Sequence, residues 1–253
     1  MYKLSVGAIF KNEEQCIKEW IEHYINHGVE HFYLINDNSN DNYLEKIQYY
    51  IDLNIVTLYN ACFTNYLGRQ KDMYNTYILP TIKDTKWLLI CDLDEFMWSP
   101  VNKNLNVILS QCSHLGQIQV NHTLFGSNNH IIQPDSIVNC FTKRSQYLDT
   151  KIPNGNLKYF VNTMFDFTSL NVHHATFTIN EYNNNSNNIN VFMILGQSYF
   201  RLNHYCCQSL NFWKNIKCTR GDADNYRERK LEEFDSYDLN DIEDFNLIDQ
   251  NKS

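Results

Sequence analysis

Trp87-Leu88-Leu89-Ile90-Cys91-Asp92-Leu93-Asp94-Glu95-Phe96 joins five apolar residues to a cluster of three acids. A short apolar run of this kind reads as a strand buried on both faces of a parallel sheet. The acids then fall at its carboxyl end, the side on which open α/β sheets bind ligands. In extended chain, residues i and i+2 point the same way, so Asp92 and Asp94 are expected to share one pocket while Leu93 faces the core. Two close carboxylates repel each other, and a Mn2+ or Mg2+ ion with hard oxygen donors relieves that repulsion. A lone Asp-x-Asp is common by chance and serves equally well as a solvated strand end. Its weight comes from what precedes it.

Residues 4–10 form another short apolar run suited to a parallel strand. Asn12 with Gln15 three positions on predicts a capping box. Ile17, Trp20, Ile21, Tyr24 and Ile25 then follow at helical spacing, and Gly28 stands where a helix end favours a left-handed residue. A strand over 31–35 runs into the polar turn 36–41. A second helix (Leu44, Ile47, Ile51) leads to a strand over 55–59, and a third helix over 67–79 is ended by Pro80. The order β-α-β-α-β-α-β predicts an α/β fold: a mostly parallel central sheet flanked by helices, with right-handed crossovers. Three polar clusters, 11–14, 36–41 and 92–95, then meet on one rim.

Beyond Asn121 the pattern weakens. Residues 123–126, 137–142, 159–165 and 192–195 read as short strands that extend the sheet and cover the far side of the rim. Residues 222–234 read as a helix before an acidic tail, and the asparagine run 183–188 as a surface loop. The 253 residues are read as one domain, with a first half (1–100) carrying the rim clusters, a second half (101–220) and the C-terminal helix and tail (221–253).

Composition narrows the class. With 43% hydrophobic and 14% aromatic residues the chain can build a sizeable core. A net charge of -8 without a basic stripe argues against nucleic acid as a partner. No apolar run approaches 18 residues, so neither signal peptide nor membrane span is expected in this chain, and the reading is cytoplasmic unless an anchor lies outside it. None of the eight cysteines forms a C-x-x-C pair, which suggests reduced structural thiols.

Further candidates are single residues. His204, in Arg201-Leu202-Asn203-His204-Tyr205, can complete a metal shell or be a core histidine bonded to backbone, and His173-His174 pose the same choice. Lys158 and Arg69 can meet diphosphate charge. Phe125-Gly126-Ser127, followed by His130, reads as a turn lining an acceptor pocket or as a plain hairpin.

Taken in order, these landmarks resemble glycosyltransferase family 2-like and family 92 domains. The resemblance is carried by Phe10-Lys11-Asn12-Glu13-Glu14, Glu19-Trp20, Gly28 to Tyr33, Asn36 to Asp41, Arg69-Gln70, Trp87 to Phe96, Phe125-Gly126-Ser127, Lys158, His173-His174, Leu202 to Tyr205, Ser209, Phe212, Lys214, Arg220-Gly221 and Ala223. It implies a GT-A fold, a UDP-linked nucleotide-sugar donor, a hydroxyl acceptor on a glycan or other glycoconjugate, and inversion at the anomeric carbon. It implies that Phe10, Asn12 and Asp37 surround the nucleoside, that Asp92 and Asp94 serve ribose and metal, that His204 is the later metal ligand, and that Lys158 and Arg69 steady the diphosphate. Glu95 and His130 are the two candidates for the general base. The sequence departs from the family at Asn128-Asn129-His130, where Gly-His is common. Three alternatives stay open: a non-catalytic nucleotide-sugar-binding domain, an Asp-x-Asp phosphatase, whose motif normally ends the first strand, and a nucleotidyltransferase.

Overall fold

The computed structural model describes every residue except 65, 148–156, 179–190, 195–197, 222–227 and 253. The first half follows the expected alternation: β1 (Tyr2–Phe10), α1 (Ile17–Asn26), β2 (His31–Asn36), α2 (Tyr43–Asp52), β3 (Val56–Asn60), α3 (Arg69–Met73) and β4 (Thr85–Ile90). Then come β5 (Glu95–Trp98), α4 (Leu105–Gln111), β6 (Gln117–Leu124), α5 (Ile137–Cys140), β7 (Lys143–Arg144), β8 (Leu157–Asn162), β9 (Phe167–Leu170), β10 (Ala175–Phe177), β11 (Val191–Ile194) and β12 (Arg201–His204). Two short helices, α6 (Leu210–Phe212) and α7 (Cys218–Arg220), flank a π-helical turn at Trp213–Lys217, and α8 (Phe234–Tyr237), β13 (Ile242–Glu243) and α9 (Asn246–Lys252) end the chain.

The main sheet has the order β3-β2-β1-β4-β8-β6-β12-β5, with β11 beside the first half of β6 and β12 beside its second half. Strands β1 to β4 are mutually parallel, and β6, β11 and β12 continue that direction. β8 and β5 run against them. One rim of the sheet therefore collects the carboxyl ends of β1, β2, β4, β6 and β12 together with the amino ends of β8 and β5.

Alternation along β1 feeds two cores. Leu4, Val6, Ala8 and Phe10 pack with Trp20, Ile21, Ile47, Leu105 and Ile108, so α1, α2 and α4 cover that face. Ile9 joins Tyr33, Ile35, Met73, Tyr74 and Ile78 on the other. Ile17, Trp20, Ile21 and Tyr24 of α1 are fully buried, each worth roughly 1.5–3 kcal/mol relative to exposure. Gly28 follows α1 at φ 91, the left-handed conformation expected there.

Several expectations are corrected. Asn12 does not cap α1: its backbone is left-handed (φ 54), its Oδ1 accepts from Asn40 N at 2.9 Å, and Cys16 occupies the cap position. The third helix is α3 continued by a π turn, Tyr74–Ile78, in which Leu79 N donates to Tyr74 O; the extra residue re-aims the buried face toward Tyr74 and Ile78. Residues 137–142 contain the helix α5 rather than a strand, because Ser136 caps it and Glu19 accepts from the Ile137 and Val138 N–H groups. Of the helix expected over 222–234, residues 222–227 lie outside the described set, and 228–230 are irregular before a 3-10 turn at Leu231–Glu233. The asparagine run 183–188 also lies outside it. All eight cysteines are free thiols. Among the described residues no helix is long and apolar enough to cross a membrane.

Candidate functional site

Asp92-Leu93-Asp94 is not extended. β4 stops at Ile90, and a turn closed by Glu95 N donating to Asp92 O leads directly into β5. The turn still sends both carboxylates into one cleft and buries Leu93 to 1% exposure, so the expected outcome arrives by a different geometry. Helix α1 holds the turn: Trp20 Nε1 donates to the carbonyls of Asp92 and Glu95, both at 2.9 Å, and the Tyr24 hydroxyl donates to Glu95 O at 3.0 Å.

The cleft has a volume of about 430 Å³, within the range of small-molecule sites. Phe10, Asp37, Arg69, Asp92, Asp94, Glu95, Lys158 and His204 all line it. Asn12 and His130 do not. Asn12 ties the loop after β1 to the loop after β2, where Asn12 N also donates to Ser39 Oγ. The His130 ring stands edge-on to Phe141, and its backbone bonds to Ser127 and Leu210. The Phe125-Gly126-Ser127 turn, too, lies outside the cleft, packed beneath Leu239 and Asn240.

Every acid of the floor has a cationic partner. Lys158 Nζ is 2.7 Å from Asp92 Oδ2 and 3.6 Å from Glu95 Oε2. Lys217, at the end of the π turn, reaches Asp94 Oδ2 at 2.5 Å. Arg69 pairs with Asp37, both buried, and half-buried Arg220 pairs with buried Glu13. His204 places Nε2 at 3.6 Å from Asp94 Oδ1 and Nδ1 at 3.0 Å from His122 Nδ1. Among the described residues, Glu95, His122 and His204 form the group whose nitrogen and carboxylate donors lie within 4.8 Å of one another.

These pairings set the charge states. Burial alone would push Asp94 upward, but the Lys217 ammonium, aided by His204, holds its carboxyl well below the usual range. Burial, only partly offset by Lys158, raises Glu95. Burial works against protonated His204, yet Asp94 outweighs it and lifts the imidazole to about 9. Burial, with His204 and Lys158 beside it, drops His122 to about 2, so that ring is neutral. Lys158 stays charged despite burial because Asp92 and Glu95 face it.

Sequence reasoning named most of the floor, Glu13 among it as part of the polar cluster 11–14, and missed Lys217 and His122. His122 left a trace: it shares a strand face with Ile118, Val120 and Leu124, where a histidine breaks an apolar period of two. Lys217 left none beyond its i, i+3 spacing to Arg220, because the π turn changes the register that would place it.

The sequence profile of glycosyltransferase family 92 matches residues 3–244. No curated protein matches the chain. Among solved structures, S. aureus TarS 1-349 aligns at 13% identity with a TM-score of 0.44, over 85% of this chain and 63% of that one. Its complex with UDP aligns at 14% identity and TM-score 0.45, over 79% and 60%. A UDP-glucose pyrophosphorylase complexed with UDP-glucose aligns at 12% identity and TM-score 0.36, over 64% and 76%. The chain spans about three fifths of the length of the TarS 1-349 structures.

Proposed function

The chain belongs to glycosyltransferase family 92, and on that premise we propose that it is a GT-A enzyme that moves a sugar from a UDP-linked donor to a hydroxyl of a glycan or other glycoconjugate, with inversion. The observation that supports this most is the single cleft at the sheet rim in which Asp37, Arg69, Asp92, Asp94, Lys158 and His204 meet. In this reading residues 1–100 supply the donor half and residues 101–220 the acceptor half.

Phe10 and Asp37 receive the nucleoside, Asp37 being held in place by Arg69. Lys158 and Lys217 meet the diphosphate: its oxygens compete with Asp92 and Asp94 for the two ammonium groups, a charge-assisted exchange in a poorly hydrated site. Asp92, Asp94 and His204 are the proposed ligands of Mn2+ or Mg2+. Their donor set of two carboxylates and one imidazole suits such an ion, and the 3.6 Å between Asp94 Oδ1 and His204 Nε2 is compatible with two ligands of one cation. When bound, the cation stabilises charge on the leaving diphosphate as a Lewis acid. Glu95 lines the cleft, and burial shifts its carboxyl upward, making it a better acceptor for the proton of an acceptor hydroxyl; His130 lies elsewhere.

The decisive measurement is the melting temperature of the protein against a panel of nucleotide-sugars with Mn2+, Mg2+ or EDTA. A rise with one nucleoside class, lost in EDTA and in Asp92→Ala, supports the reading. No response to any donor would sink it, and binding without transfer across an acceptor panel would leave a donor-binding domain.

A further inference from the structure

Strand β6 carries Ile118, Val120, His122 and Leu124 on one face, and His122 is only 3% exposed. Its ring lies 4.8 Å from that of His204 on the neighbouring strand β12, tilted by 47°, with the two Nδ1 atoms 3.0 Å apart. That distance is a hydrogen bond, and a nitrogen-to-nitrogen bond holds one proton between its two atoms. Glu95 Oε1, at 3.9 Å from the same His204 nitrogen, is too far to compete for it. The opposite edge of His204, Nε2, points toward Asp94 in the cleft.

The two edges of an imidazole are coupled. Nε2 can bind a cation only through a lone pair, and a neutral ring then carries its proton on Nδ1. We propose that His122 is a positioning residue: it accepts the Nδ1 proton of His204 and so fixes the tautomer and ring orientation that present Nε2 to a divalent cation beside Asp94. His122 touches neither donor nor cation in this arrangement and acts through His204. The inference rests on the metal-dependent reading above and adds to it a partner on the far side of the ligand. Outer partners of metal-bound histidines typically change metal affinity 10- to 100-fold when removed.

The test uses Mn2+ and Zn2+ as probes and no nucleotide. Mn2+ affinity is measured for the wild type, for His122→Phe, which keeps a ring without an acceptor, and for His122→Asn, whose Oδ1 stands near the position of Nδ1. Phenylalanine should weaken Mn2+ binding about 10- to 100-fold, and asparagine should restore most of it. In Zn2+-loaded wild type, imidazole 15N shifts should show His204 metal-bound at Nε2 and protonated at Nδ1. Unchanged Mn2+ affinity in His122→Phe would overturn the proposal while leaving the cation reading intact. Metal bound at His204 Nδ1 would also overturn it, making His122 a direct ligand in the Glu95–His122–His204 group. A wild type that binds neither ion would remove the cation reading and the positioning role together, whatever the donor panel shows.

Discussion

The ammonium of Lys217 sits 2.5 Å from Oδ2 of Asp94, and both side chains are almost fully buried. The two residues lie 123 positions apart, one on the turn after β4 and one at the end of a π-helical turn. Their meeting closes the C-terminal segment onto the rim of the sheet where β4 ends. It also means that the second acid of Asp-Leu-Asp is a structural counter-ion as well as a proposed metal ligand, so fold and site share one carboxylate.

A variant lacking Lys217 leaves Asp94 buried with only His204 beside it. Breaking one side of a buried pair costs about 3–5 kcal/mol, and replacing both partners costs far less. Lys217→Met should therefore lower the melting temperature by about 10 °C at the scaling of about 2–4 °C per kcal/mol for a domain of this size. The double variant Lys217→Met/Asp94→Asn should recover most of that loss. Equal losses in the single and double variants, read by urea unfolding, would show that the pair is not coupled. By the same reasoning Asp94→Ala strands Lys217 and is destabilising in itself. Asp92→Ala is the cleaner probe of the site, because the Asp92 side chain is 35% exposed and Lys158 keeps Glu95 at 3.6 Å.

The first four strands and α1 were legible because each is a local pattern: a buried run, an amphipathic period, a glycine at the helix end. Contacts that join distant segments were not. Residues 137–142 are apolar enough to read as a strand, and what makes 137–140 helical is the Ser136 cap together with Glu19, 118 positions away from Ile137. Asn12 has the chemistry of an N-cap, yet Asn40 and Ser39 across the neighbouring loop claim it. Asp-Leu-Asp faces the cleft through a turn, which period-two reasoning cannot distinguish from a strand. Lys158 and Arg69 were legible as cations in an acidic chain, but their present partners, Asp92 and Asp37, were not.

His204 gives the cation-free protein a pH signature. Its folded value of about 9 lies above the ordinary 6.5, so the stabilisation from its charged contact with Asp94 is complete below pH 6.5 and fades as pH rises through 9. The displacement corresponds to at most about 3 kcal/mol. In EDTA, the urea midpoint of the wild type should fall between pH 6.5 and 9.5, and His204→Gln should flatten that fall. Identical pH dependence in the two proteins would remove His204 as its source.

Gly126 is required for a close approach. A Cβ there would lie 2.5 Å from Asn240 Oδ1 and 2.6 Å from Leu239 O, closer than the 3.0 Å that real Cβ atoms essentially never cross. Those residues cover the turn, with Asp238 Oδ1 accepting from Ser127 N at 2.5 Å and Asn240 Oδ1 from Asn128 N at 2.8 Å. Gly126→Ala should push the 238–240 segment off and cost about 1–3 kcal/mol. Hydrogen exchange should quicken at Ser127 and Asn128 while β1 and β4 stay protected; unchanged exchange there would refute the packing role.

Trp20 links the helix that reads most clearly in the sequence to the turn that carries the acids. Its ring is fully buried against Tyr24 and Phe32, and its Nε1 bonds to the carbonyls of Asp92 and Glu95. Trp20→Phe keeps most of the apolar area but deletes that donor, leaving two carbonyls at the start of β5 with less support. The loss of a buried hydrogen bond and the small cavity together should cost about 2–3 kcal/mol. The larger effect should be on the site: with the turn loosened, Asp92 and Asp94 lose their common aim, and affinity for the nucleotide-sugar should fall about tenfold or more. Trp20→Phe therefore separates two roles for this residue. A stability loss with donor affinity intact would make Trp20 a core side chain only, whereas a loss of affinity at a temperature where the variant is fully folded would make it the strut that aims the acids.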